Sequence, residues 1–161
     1  SGTSDKPSQN AVNLDITGNS GNDRILIDHT TVGQKFLVDC GNGNDILGVA
    51  SSQFSGETQI DLGTGNDLLG MSSSRLSSAV TLLGNTGDDI IGLDNLQCTA
   101  SVNVDLGDGK DALLTHDNRF EGNLTRIGGN ATDVSYKSND LVLGTETISG
   151  FEVQATTLTS R

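Results

Sequence analysis

Apolar residues in this chain recur in pairs two positions apart, and the pairs recur every 22 residues. Leu14 and Ile16 are followed by Phe36 and Val38, Thr58 and Ile60, Val80 and Leu82, then Val102 and Val104. The position between is polar in Asp15, Gln59, Thr81, Asn103 and Thr125, with Leu37 the exception. A period of two puts each pair on one face of a short, half-buried strand. A second series begins two residues past a recurring aspartate: Ile25 and Ile27, Leu47 and Val49, Leu69 and Met71, Ile91 and Leu93, Leu113 and Thr115. A third column, Val32, Phe54, Leu76, Cys98, Phe120 and Val142, anchors the polar stretch that leads back to the next pair. Each interval therefore predicts two strands and one tethered loop.

Helix does not fit, because the apolar spacing is two and glycine punctuates every interval. A constant period in the range of 20–50 residues marks a solenoid. Parallel stacking at about 4.8 Å per coil satisfies the backbone between coils and piles like residues into ladders. The expected fold is all-β: a right-handed parallel β-helix of about six 22-residue coils, its hand following the general rule for parallel crossovers. Residues 1–10 are expected to form a flexible tail opening on a Ser-Gly cloning scar. Residues 11–161 are expected to form one domain, with a terminal cap from about 145, where the glycine turn is lost. Arg126 interrupts the otherwise apolar column of Val104 and Ile148.

The corner between the two predicted strands carries the chemistry. Asp23, Asp45, Asp67, Asp89, Asp111 and Asp133 fall at one fixed interval, with glycine two positions earlier in every case except Ala131. Three corners read Gly-x-Gly-x-Asp-x-Leu, through Gly41, Gly43 and Asp45, Gly63, Gly65 and Asp67, and Gly107, Gly109 and Asp111. Asn19 and Asn85 take the first glycine position in the other two. This resembles the RTX-type calcium-binding repeat, G-G-x-G-x-D-x-U-x with U a large aliphatic. The resemblance implies calcium held by Asp23, Asp45, Asp67, Asp89 and Asp111 together with the corner glycines, and secretion or surface display. RTX repeats recur every nine residues, whereas this motif returns only every 22, so at most one edge of the stack could hold a row of ions.

Stacked aspartates about 5 Å apart repel by roughly 3 kcal/mol at an effective dielectric near 20, and calcium, taking six to eight oxygens, would remove that repulsion. The competing reading is turn chemistry alone. Glycine supplies positive φ, Asn and Asp side chains cap nearby N–H groups, and a carboxylate so engaged needs no metal. Lys110 and Thr132, inside the fifth and sixth corners, discourage an ion there.

Nine Lys and Arg against 21 Asp and Glu give a net charge of −12. That balance argues against nucleic acid, whose phosphates are bound by cationic side chains. No apolar run approaches the ~18 residues of a membrane helix. Cys40 and Cys98 sit in different apolar columns and read as small buried hydrophobes rather than a disulfide. His29 and His116, also in different columns, form no shared site.

Directly after the aspartates, Ile46, Leu68, Ile90 and Ala112 should point outward, beside a column of Gly48, Gly70 and Gly92. Such a strip is an interface candidate for self-association or for a protein or glycan partner. The expected function is a non-catalytic structural or adhesive module of a bacterial exported or surface protein, with calcium as the candidate cofactor. The alternative is a carbohydrate-binding or carbohydrate-active β-helix fragment, the class that long parallel β-helices resemble.

Overall fold

The computed structural model describes residues 12–157, a stack of parallel strands with no helix among those residues. The second coil shows the plan: Phe36–Asp39, a glycine corner, Ile46–Ala50, a tight corner at Ser51 and Ser52, then Gln53–Phe54. Like strands of successive coils pair in parallel to build two seven-stranded sheets and one of six. Residues pair with those 22 positions away in every coil before the last corner, as Val80 does with Thr58 and Val102, and Ile91 with Leu69 and Leu113. The β-solenoid of 22-residue coils is thus the architecture of the chain.

All three apolar columns face inward. Phe36, Val38, Leu47, Val49 and Phe54 are buried within one coil, where the rings of Phe36 and Phe54 stack with centroids 4.4 Å apart. The expected tethered loop is corrected to a third sheet, made of two-residue strands such as Gln53–Phe54 and Arg75–Leu76. Two residues contain a single inward position, so no alternation announces them.

The corner before this third sheet has its own device. His29, Ser51, Ser73, Asn95, Asp117 and Asn139 take positive φ between 48° and 58°. The next residue then caps the coil before it: the Thr30 and Ser52 N–H groups donate to Ser52 Oγ and Ser74 Oγ, both at 3.0 Å. Further along, Leu96 N–H donates to Asn118 Oδ1 and Asn118 N–H to Asp140 Oδ1.

From about 145, the segment expected as a cap adds Glu146–Ser149 and Val153–Thr157 to the first and second sheets. Its corner is three residues shorter, since Val153 pairs with Val134. The core changes character here. Arg126 is buried, donating to Ser135 Oγ and to Glu146 Oε1, both at 2.6 Å, while Lys137 Nζ meets Glu146 Oε2 at 2.8 Å. Burial pushes the Glu146 carboxyl up, but the Lys137 hydrogen bond and the Arg126 charge outweigh it and hold the group below its ordinary value. The tail expected over residues 1–10 lies outside the described residues.

Candidate functional site

Two glycine columns make the bend at the aspartate corner. At the second, Gly43, Gly65, Gly87 and Gly109 have φ between 126° and 152°. A Cβ there would lie 1.8 to 2.1 Å from the carbonyl oxygen of the glycine one coil below, so no side chain fits. At the first, Asn19 and Asn85 adopt φ of 72° and 71°, the left-handed region Asn enters most readily. Gly41, Gly63 and Gly107 in the same column have φ between 91° and 96°, and a Cβ there would lie 1.9 to 2.3 Å from the carbonyl oxygen one coil below. Asn therefore enters this column only where φ falls to about 72°, while the second column breaks at Ala131.

Past the bend, the Asn-Asp pair forms two ladders of opposite direction. Each aspartate accepts from its counterpart one coil earlier: Asp23 N–H donates to Asp45 Oδ1 at 2.7 Å, Asp45 to Asp67 at 2.7 Å, and Asp67 to Asp89 at 2.8 Å. Asp89 and Asp111 N–H continue the series to Asp111 and Asp133 Oδ1. The preceding residue works the other way, accepting from the coil after it. Asn44 N–H donates to Asn22 Oδ1, Asn66 to Asn44, Asp88 to Asn66 and Lys110 to Asp88, at 2.8 to 2.9 Å. Glu152, unmarked by the sequence reading, ends the aspartate ladder by accepting from Asp133 N–H at 2.6 Å. Its extra methylene spans the shortened corner, and neither its spacing nor its residue type matches the repeat.

The structure thus aligns Asp23, Asp45, Asp67, Asp89 and Asp111 in one column, as the interval requires, and turns them inward. From Asp45 onward they are at most 2% exposed. From Asp45 onward one oxygen of each carboxylate is spent on a backbone N–H, and the other, Oδ2, is buried without a hydrogen-bond partner. Burial pushes Asp89 up to about 7 and Asp111 up to about 6 against the pull of the backbone N–H bond, with neighbouring carboxylates adding to the rise. Asp67 is raised by burial as well.

As a donor set for calcium, the column offers one free oxygen per coil, whereas that ion takes six to eight oxygens. Among the described residues no group of three or more His, Cys, Asp or Glu side chains is placed to hold a metal.

The other named residues fall as follows. Ile46, Leu68 and Ile90 are exposed on the outer face of the second sheet, with Ala112 half-buried in the same column. Leu26, 75% exposed, and Leu114 and Tyr136 extend this apolar face at the ends of the glycine column. The trough along Gly48, Gly70 and Gly92 has a volume of about 460 Å³. Cys40 and Cys98 are buried and unbridged. Burial pushes both thiols up to about 12, helped at Cys40 by the charges of Asp45 and Asp67. His29 and His116 are exposed beside Asp28 and Asp117. Against known proteins, no family model, no curated protein and no solved structure matches this chain.

Proposed function

We propose that the chain is a non-catalytic structural or adhesive β-solenoid module of a bacterial exported or surface-displayed protein. The observation that carries this reading is the continuity of the side-chain ladders. Backbone pairing and both corner ladders tie each coil to its neighbours along the stack axis, the direction in which a spacer or stalk carries tension. The resemblance to RTX repeats supports export.

Pulling the two ends apart in a single-molecule force experiment tests it. Stepwise release in multiples of one coil is expected, about 75 Å of extended chain each at roughly 3.4 Å per residue. A single soft transition without steps refutes the tension-bearing reading, and oligosaccharide cleavage by the purified chain refutes the non-catalytic one.

The RTX-like chemistry would act at the aspartate ladder, where the unbonded Oδ2 atoms call for a counter-charge. With one oxygen per coil on offer, we assign that role to protons. Melting in chelator and then in excess calcium separates the two: an unchanged Tm is expected, and a rise of several degrees with calcium replaces the protons by a row of ions.

A further inference from the structure

The glycines at 48, 70 and 92 sit mid-strand on the outer face of the second sheet, where the fold itself does not require them. None has positive φ. A Cβ at Gly70 would meet nothing within 4 Å, one at Gly92 only an ordinary contact, and one at Gly48 the movable end of the Leu26 side chain. Mid-strand glycine costs roughly 0.5–1 kcal/mol against alanine, and it marks places where another chain or ligand comes close. The demand for glycine therefore comes from outside the coil.

The adjacent outward column supplies the matching shape. Two positions before each glycine stands a large aliphatic: Ile46 before Gly48, Leu68 before Gly70, Ile90 before Gly92. In the next coil the sizes exchange, with small Ala112 before large Leu114. Four consecutive coils thus each present one large and one small residue side by side, a ridge along a trough.

We propose that this face is the interface of a homodimer, two copies packing sheet on sheet about a two-fold axis parallel to the solenoid axis. That operation keeps each coil level with its equivalent and exchanges the two columns. Ile46, Leu68 and Ile90 of each copy then enter the other's glycine trough, and Ala112 lies opposite Leu114. A two-fold along the strands would instead set ridge on ridge and trough on trough. Both columns repeat at the same coil rise of about 4.8 Å, so one matched coil brings the others into register.

The flanking columns, Asn44, Asn66 and Asp88 on one side and Ala50, Ser72 and Asp94 on the other, form a mostly polar rim. Six coils at about 4.8 Å by four columns at about 6.8 Å give a face of roughly 780 Å² per copy, close to the ~800 Å² per partner of a standard interface. The polar rim around an apolar centre matches interface anatomy.

Sedimentation of the whole chain over a range of concentrations tests this. The parent is expected at twice its 16.7 kDa mass at micromolar concentration. Gly70→Leu fills the trough from outside and should give monomer, with a melting curve close to the parent's because the monomer has room for it. Leu68→Ala combined with Gly70→Leu copies the Ala112–Leu114 arrangement and should restore the dimer. A parent that stays monomeric near 100 µM, or dimers of undiminished strength in Gly70→Leu, overturns the proposal. So does a double variant that melts like the parent yet remains monomeric.

Discussion

Replacing Asp89 with asparagine isolates the electrostatics of the ladder while sparing its hydrogen bond. The amide oxygen can still accept from Asp67 N–H, which now bonds to Asp89 Oδ1. The amide nitrogen takes the place of the buried Oδ2, on the side of Gly84 where the Leu106 carbonyl also lies. What disappears is the charge. In the parent, burial raises the Asp89 carboxyl from 3.8 to about 7. A group that titrates higher when folded binds its proton more readily in the fold, so protonation stabilises. That stabilisation is complete below the unfolded value and is lost as pH climbs through about 6 to 7. Three units correspond to ~4 kcal/mol. Asp111 titrates next to it, and each proton relieves its neighbour, so the contributions do not add. A combined effect of roughly 2–4 kcal/mol is expected after discounting for that coupling and for solvent screening.

Urea unfolding followed by circular dichroism at pH 8, 7, 6 and 5 measures it. The parent should gain stability on acidification to pH 5, opposite to ordinary acid denaturation. Asp89→Asn should exceed the parent by roughly 1–3 kcal/mol at pH 8, with a flatter dependence below it. Asp89→Ala, which strands Asp67 N–H without an acceptor, should lie about 1–3 kcal/mol below the asparagine variant. Parent stability that is flat or falling from pH 8 to 5 refutes the protonated ladder, as does an asparagine variant that keeps the parent's slope.

Four further outcomes follow from the corners and the core. Gly65→Ala, whose methyl would lie 1.9 Å from the Gly43 carbonyl oxygen, should cost more than about 3 kcal/mol or abolish folding. Gly63→Asn, whose Cβ would lie 1.9 Å from the Gly41 carbonyl oxygen at a φ of 96°, should cost a comparable amount, although Asn19 and Asn85 occupy the same column at φ of 72° and 71°; thermal melts of the two variants compare them. Arg126→Ala leaves the buried Ser135 hydroxyl without its partner and the half-buried Glu146 held by Lys137 alone, and should cost about 1–3 kcal/mol in chemical denaturation. Cys40 and Cys98 should resist a thiol reagent at pH 8 in the folded protein and both react in denaturant, a difference seen by absorbance.

The period, the coil and the inward columns are legible in the sequence because a solenoid repeats one register without slippage. Ile60 and Leu82 share a fate because they share a place in the coil. The same regularity identifies Ile46, Leu68 and Ile90 as outward, since the strand that holds them is long enough to alternate. Legibility fails where local period gives out. The third sheet is hidden because Gln53–Phe54 offers one inward residue. The inward turn of Asp67 is hidden because it lies at the bend, before the strand's alternation begins. Glu152 is missed because its corner is three residues short and its side chain is longer. Arg126 stands out as an exception, but its partners Ser135 and Glu146 come from two other strands, and no single column brings them together.

Because the two corner ladders run in opposite directions, each end of a partial stack exposes one vacant donor and one vacant acceptor. At the C-terminal end of a partial stack, the last coil exposes one vacant acceptor, the Asn66 side-chain oxygen for example, and one vacant donor, the Asp67 N–H. The next coil fills both at once, its residue 88 supplying the donor and its residue 89 the acceptor. A slip by one residue would bring the wrong member of each pair to the wrong vacancy, so the corner acts as a template that checks the reading frame of every added coil. Glu152 fills the last donor from within the shortened corner. At that corner, the carboxylate that completes the ladder belongs to a side chain one methylene longer than the repeat prescribes, and the template is closed.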